Sequence, residues 1–244
     1  MIKRGRNYSH SLSFIECRCS AKFLIPFFCC ILFSGLPAQF DHGITLCASF
    51  TVPVDDFSDD DEFVNDGYAL VGFGGGVQHS VAFGIPWLAL ATEVSFLANF
   101  LDHDEIEDTY PGQVLENVDG GHYFSLPILS GIKLIPPVHS PVEPFGIFQL
   151  GLNIFFESDL DGRVVVPVIG SEYALDRDFE PDVEFALGLG GGAVVADHFV
   201  VMVQYLNMGE PSIDYNQRIG TADPTSEQRE FDAALVRFSV GYDF

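Results

Sequence analysis

From residue 44 to the last residue, apolar side chains recur at every second position, and helical stripes at the 3.6-residue spacing are hard to find. The end of the chain is clearest. Ala234, Val236, Phe238, Val240, Tyr242 and Phe244 alternate with Ala233, Leu235, Arg237, Ser239, Gly241 and Asp243. Leu88, Leu90, Thr92, Val94 and Phe96 alternate in the same way with Ala89, Ala91, Glu93 and Ser95. Such alternation predicts strands, and eight are expected, over 44–54, 68–79, 86–100, 121–135, 144–156, 182–196, 199–208 and 231–244. The chain is therefore all-β, and an even strand number suits a closed antiparallel barrel.

The composition of the two faces decides between architectures. A soluble β-sandwich also alternates, with polar residues in water. Here the less apolar face is mostly Gly, Ala and Ser with a few isolated charges, which is too bland for a solvated surface. In a small barrel such residues fit a cramped lumen while the Phe, Leu and Val face meets lipid. A secreted sandwich is the competing reading.

Residues 1–22 carry Lys3, Arg4, Arg6, Arg18 and Lys22 against one acid, Glu16, and residues 23–38 are an almost uncharged apolar run. That order predicts a signal peptide over 1–38, shorter than a spanning helix needs, with cleavage near 38 or near 48. The alternative is a retained, anchored signal. The mature chain 39–244 keeps a single cysteine, Cys47, so no intrachain disulfide framework is expected. It also keeps 6 basic residues against 34 acids. A net charge near −28 excludes nucleic acid as a partner.

Long connections, 55–67, 101–120, 157–181 and 209–230, alternate with short ones at 80–85, 136–143 and 197–198. Of the 34 mature acids, 29 lie in 55–66, 102–119, 157–184 and 210–232. The negative charge thus gathers at the long-loop end, the outward end of an outer-membrane barrel. The expected fold is an eight-stranded antiparallel up-and-down transmembrane β-barrel over 39–244 with long acidic extracellular loops.

The last residues, VRFSVGYDF, place Phe238, Val240, Tyr242 and Phe244 on one face and resemble the assembly signal of bacterial outer-membrane barrels. The segment VVMVQYLNMG at 200–209 is similar to the penultimate hairpin of the small OmpA-like and opacity-type barrels. This resemblance implies an outer-membrane location, outer-membrane lipid and the barrel assembly machinery as partners, and no peptidoglycan-binding domain after residue 244. Pro127 departs from the pattern, because a closed barrel has no edge strand for it, and predicts a bulge or a shifted strand boundary.

For chemistry, the lumen-facing charges Glu93, Lys133, Glu184 and Arg237 are two of each sign, and burial predicts a paired neutral network that fills the lumen. An ion path is the alternative. Residues 71–77, VGFGGGV, and 187–193, LGLGGGA, repeat; the second fits a dinucleotide fingerprint, but no helix follows it, so glycine where the lumen narrows is expected instead. His79, His139 and His198 fall at short turns, with His42 at the same end, and their spacing is no ligand motif. His103 and His122 share one long loop. The run Asp55, Asp56, Asp59, Asp60, Asp61 and Glu62 suggests diffuse attraction of divalent cations, without the glycine and spacing of an EF-hand. No Ser–His–acid arrangement can be assembled, so a lipid-modifying enzyme is disfavoured, and no cofactor and no metal site are expected. The expectation is a structural or surface-interaction protein, with the acidic loops meeting divalent cations, anionic lipid through cations, or a basic surface ligand; a narrow cation-selective pore is the alternative.

Overall fold

The computed structural model describes residues 42–58, 67–82, 84–85, 87–104, 114–138, 140–166, 171–219 and 225–244. The expected signal peptide, 1–38, lies outside them. Within the compact unit Ala38–Phe244 the strands are β1 (His42–Val54), β2 (Ala69–Ala82), β3 (Leu88–Leu101), β4 (Val114–Gly120), β5 (Tyr123–Leu134), β6 (Val142–Glu157), β7 (Leu160–Val166), β8 (Ser171–Phe179), β9 (Asp182–Val195), β10 (Phe199–Asn207), β11 (Ser212–Ile219), β12 (Thr225–Glu230) and β13 (Ala234–Asp243). Eight of them close an antiparallel barrel in the order β1-β13-β10-β9-β6-β5-β3-β2. The last strand pairs with the first, Phe50 opposite Phe238, so the barrel has no free edge.

Its polarity is inverted. Ile44, Leu46 and Phe50 on β1, Val94, Phe96 and Phe100 on β3 and Phe238, Val240 and Tyr242 on β13 are exposed on the outer wall, while Thr45, Ser49, Thr51, Glu93, Ser95, Asn99, Gln149, Gln204, Arg237 and Ser239 are buried within. Water would not stabilise so continuous an apolar exterior, and lipid does. Every barrel strand is hydrogen-bonded on both sides, which hydrocarbon demands of a spanning sheet. This is a membrane-spanning barrel of the outer-membrane kind.

The short connections are tight. Between β9 and β10, Ala196 and Asp197 both take left-handed backbone (φ 51° and 66°) and His198 N–H returns to the Val195 carbonyl at 3.3 Å, the turn geometry that matches strand twist. The long connections hold more than loops. A five-stranded sheet, β12-β11-β8-β7-β4, continues the line of β13, β10, β9, β6 and β5 beyond the barrel. Sequence alternation is weak in these acid-rich segments, and their strands were not expected. Among the described residues β1, β2 and β3 have no such continuation, so the sheet stands as a wall on one side of the mouth.

Pro127 produces no bulge. It pairs in register with Asn153 of β6, and on the β3 side the register before and after it is the same, Val94 opposite Ile128 and Leu97 opposite Ser125. The ladder only skips the pairs between, where proline supplies no donor. The bulge lies instead on β2, where the register with β3 shifts between Ala69 and Gly72 and turns Leu70 and Val71 outward together.

Candidate functional site

The two glycine-rich repeats lie on β2 and β9, four strands apart in a ring of eight and therefore opposite each other. Their inward glycines clear space for polar side chains. A Cβ on Gly76 would stand 2.6 Å from Ser95 Cβ, and one on Gly190 2.4 Å from the Val203 carbonyl and 2.9 Å from Gln204 Cβ. Into that space reaches Arg237 of β13, 1% exposed, which donates to Glu93 Oε1 on β3, to Ser95 Oγ (3.0 Å) and to Gln204 Oε1. Gln204 passes the chain to Gln149 Oε1 on β6 at 2.9 Å, and the Gln149 amide points at the Ala91 carbonyl at 3.5 Å. Ser49 and Ser239 (2.9 Å), and Asn99 with Thr51 (3.1 Å), add cross-strand bonds above and below.

Of the four lumen charges named from sequence, only Glu93 and Arg237 meet. Lys133 lies near the short-turn end, buried, with its ammonium 4.3 Å from the centre of the Phe145 ring. Glu184 is half-buried on β9 opposite Asn153, near the mouth, where a Cβ on Gly209 would meet its Cβ at 2.6 Å. The expected four-charge network is corrected to one ion pair completed by neutral amides, because strand order and depth set Lys133 and Glu184 at opposite ends. Gln149 and Gln204 were missed; alternation places them inward, but their bond passes over the intervening strand β9.

Above the network the mouth is shut by rings. The first long connection leaves β1 through a 3-10 turn, Asp55–Phe57, that drops Phe57, 0% exposed, into the mouth. Its ring stacks on Phe231 (5.6 Å, 4°) and meets the edges of Tyr123 (5.2 Å) and Phe155 (6.1 Å). Tyr123 Oη donates to the Gly67 carbonyl at 2.6 Å, and Gly67 N–H donates to the Asp56 carbonyl at 2.7 Å, which clasps the returning chain. A side chain at Gly67 would strike the Phe57 carbonyl at 2.5 Å. Leu97, Leu101, Leu160, Val164, Leu206 and Leu235 complete this core. At the short-turn end Ala91, Phe145, Ile147, Val200 and Met202 form a second apolar layer. The lumen is thus apolar, polar, apolar from mouth to base.

Of the acidic run, Asp55 and Asp56 sit exposed at the rim, Asp55 in left-handed backbone (φ 56°) with Oδ2 3.5 Å from Tyr205 Oη. Asp59, Asp60, Asp61 and Glu62 lie outside the described residues, as do His139 and the side chain of His42. His198 stacks on Tyr242 (5.2 Å, 15°). Among the described residues no three His, Cys, Asp or Glu converge as metal ligands. Phe238, Val240, Tyr242 and Phe244 all point outward, and Tyr242 packs against the edges of Phe199 and Phe244.

No family model and no curated protein matches the chain. Among solved structures it is similar in fold to the outer membrane protein OprG of Pseudomonas aeruginosa, at 15% identity over 83% of this chain and 95% of that one, with a TM-score of 0.48. A major outer membrane protein of Thermus thermophilus aligns at 12% identity over 83% and 99%, with a TM-score of 0.46. Neisserial surface protein A aligns at 11% identity over 84% and 97%, with a TM-score of 0.38.

Proposed function

We propose that the chain is an integral outer-membrane barrel that acts through its acidic outer surface and neither conducts nor catalyses. The observation that supports this most is the lumen: a buried ion pair with its amides, bracketed by an aromatic plug and a second apolar layer, leaves side chains where a channel would hold water. Sequence and structure invest instead in the loop end, where five strands run on into a wall and the acids concentrate. Outer-membrane lipid holds the apolar outer face of the barrel, and the barrel assembly machinery reads the terminal strand. The acidic crown attracts Mg²⁺ or Ca²⁺ and, through them, neighbouring anionic lipid or a basic surface.

The test is binding of the folded protein to vesicles of anionic lipid with and without Mg²⁺, compared with a variant in which Asp55, Asp56, Asp59, Asp60, Asp61 and Glu62 are changed to Asn or Gln. Cation-dependent binding that falls in the variant supports the reading. Binding unchanged by the substitutions or by chelator contradicts it.

A further inference from the structure

The second long connection leaves β3 at Leu101 and rejoins β5 at His122. The rings of His103 and His122 stack there, centres 5.6 Å apart and planes at 24°. His103 Nε2 donates to the Gly120 carbonyl at 2.8 Å, which ties the start of the connection to its end. The Leu101 N–H donates to His122 Nδ1 at 3.4 Å, so that nitrogen carries no proton. The return is narrow: Gly120 and Gly121 both take positive φ (83° and 68°), and a Cβ on Gly120 would stand 2.0 Å from the Asp159 carbonyl. His122 is further fixed by exchange of bonds with Ser158, 2.9 Å each way, and by the edge of Phe100, which faces lipid. Between the two histidines in sequence lies β4, an edge strand of the wall that, among the described residues, pairs with β7 alone.

We propose that the His103–His122 stack is a pH-operated latch that ties the start of the second connection, at His103, to its end, at Gly120–His122, on the barrel rim at neutral pH and lets the two loosen in mild acid. A proton on Nδ1 turns the acceptor of the Leu101 N–H into a second donor and places a charge on a ring stacked 5.6 Å from that of His103. Among the described residues, the other charged groups near the pair are Asp102 and Asp104 beside His103 in sequence, Asp119 at the end of β4, Glu157 at the end of β6, and Asp159, whose carbonyl receives the Gly121 N–H. Burial, then the neighbouring His103, lower the His122 pKa from its usual value, against a smaller upward pull from Asp119. The native latch therefore binds fewer protons than the released one just below the ordinary histidine pKa. Its stabilisation is complete above about pH 6.5 and is lost as pH falls from there toward the lowered value.

The measurement is amide hydrogen exchange of the full chain in lipid vesicles between pH 5 and 8, read as the protection of Leu101 and Gly121 relative to Leu129 within the barrel, a ratio that cancels the intrinsic pH dependence of exchange. The expected result is a ratio that falls severalfold from pH 7.5 to 5.0. In His122→Asn, whose Oδ1 takes the place of Nδ1 as an acceptor that is never charged, the ratio stays flat. In His103→Asn the midpoint moves up toward that of an ordinary histidine. A flat ratio in the wild-type protein, the same slope in His122→Asn, or an unmoved midpoint in His103→Asn overturns the latch.

Discussion

Arg237 and Glu93 meet across the lumen, 144 residues apart in sequence, and join the last strand of the barrel to its third. Both are almost wholly buried, so each charge is compensated by the other rather than by water. Removing one partner is the costly change. Arg237→Met is expected to destabilise the barrel by about 3–5 kcal/mol, and adding Glu93→Met to recover most of that, because a buried pair replaced whole leaves no orphan charge. Urea unfolding of both single variants and the double in phospholipid vesicles measures this; a loss in the double variant equal to the sum of the two single losses would show that the pair does not couple.

The plug gives a separate expectation. Phe57→Ala removes a ring that touches Phe231, Tyr123 and Phe155 and should cost about 3–5 kcal/mol. Conductance in planar bilayers should stay at the lipid background all the same, because the Arg237 network lies beneath. Steady single-channel steps in Phe57→Ala, or in Glu93→Ala, would revive the narrow cation pore.

The glycines separate by the face they occupy. Gly190→Val places a side chain against the Val203 carbonyl and Gln204 and is expected to cost at least about 1–3 kcal/mol through overpacking. Gly146→Ala, with nothing within 4 Å of the added carbon, should stay within about 0.5 kcal/mol of the parent. The same unfolding assay ranks them, and equal effects would contradict the assignment of the β9 glycines to the lumen.

The barrel could be read from the chain because period two is a local signal. Each strand declares which residues face lipid, and the order of long and short connections gives the topology. Pairing inside the lumen is not local. That Glu93 meets Arg237 while Lys133 faces Phe145 depends on the depth each strand reaches, which alternation does not carry. The wall strands were hidden for another reason: segments such as 171–179, SEYALDRDF, mix charges of both signs with apolar residues and lack a clean alternation. Pro127 misled because its missing donor is accommodated by a skipped pair rather than a shifted register.

The most direct test of the membrane barrel is electrophoresis of the 39–244 chain, refolded in detergent, with and without boiling, alongside its circular dichroism. The account predicts faster migration before boiling and a strong β signal that needs detergent to persist. Identical mobility in both lanes, with the protein soluble once detergent is removed, would mean a secreted sandwich and would reverse the inside and outside of every strand.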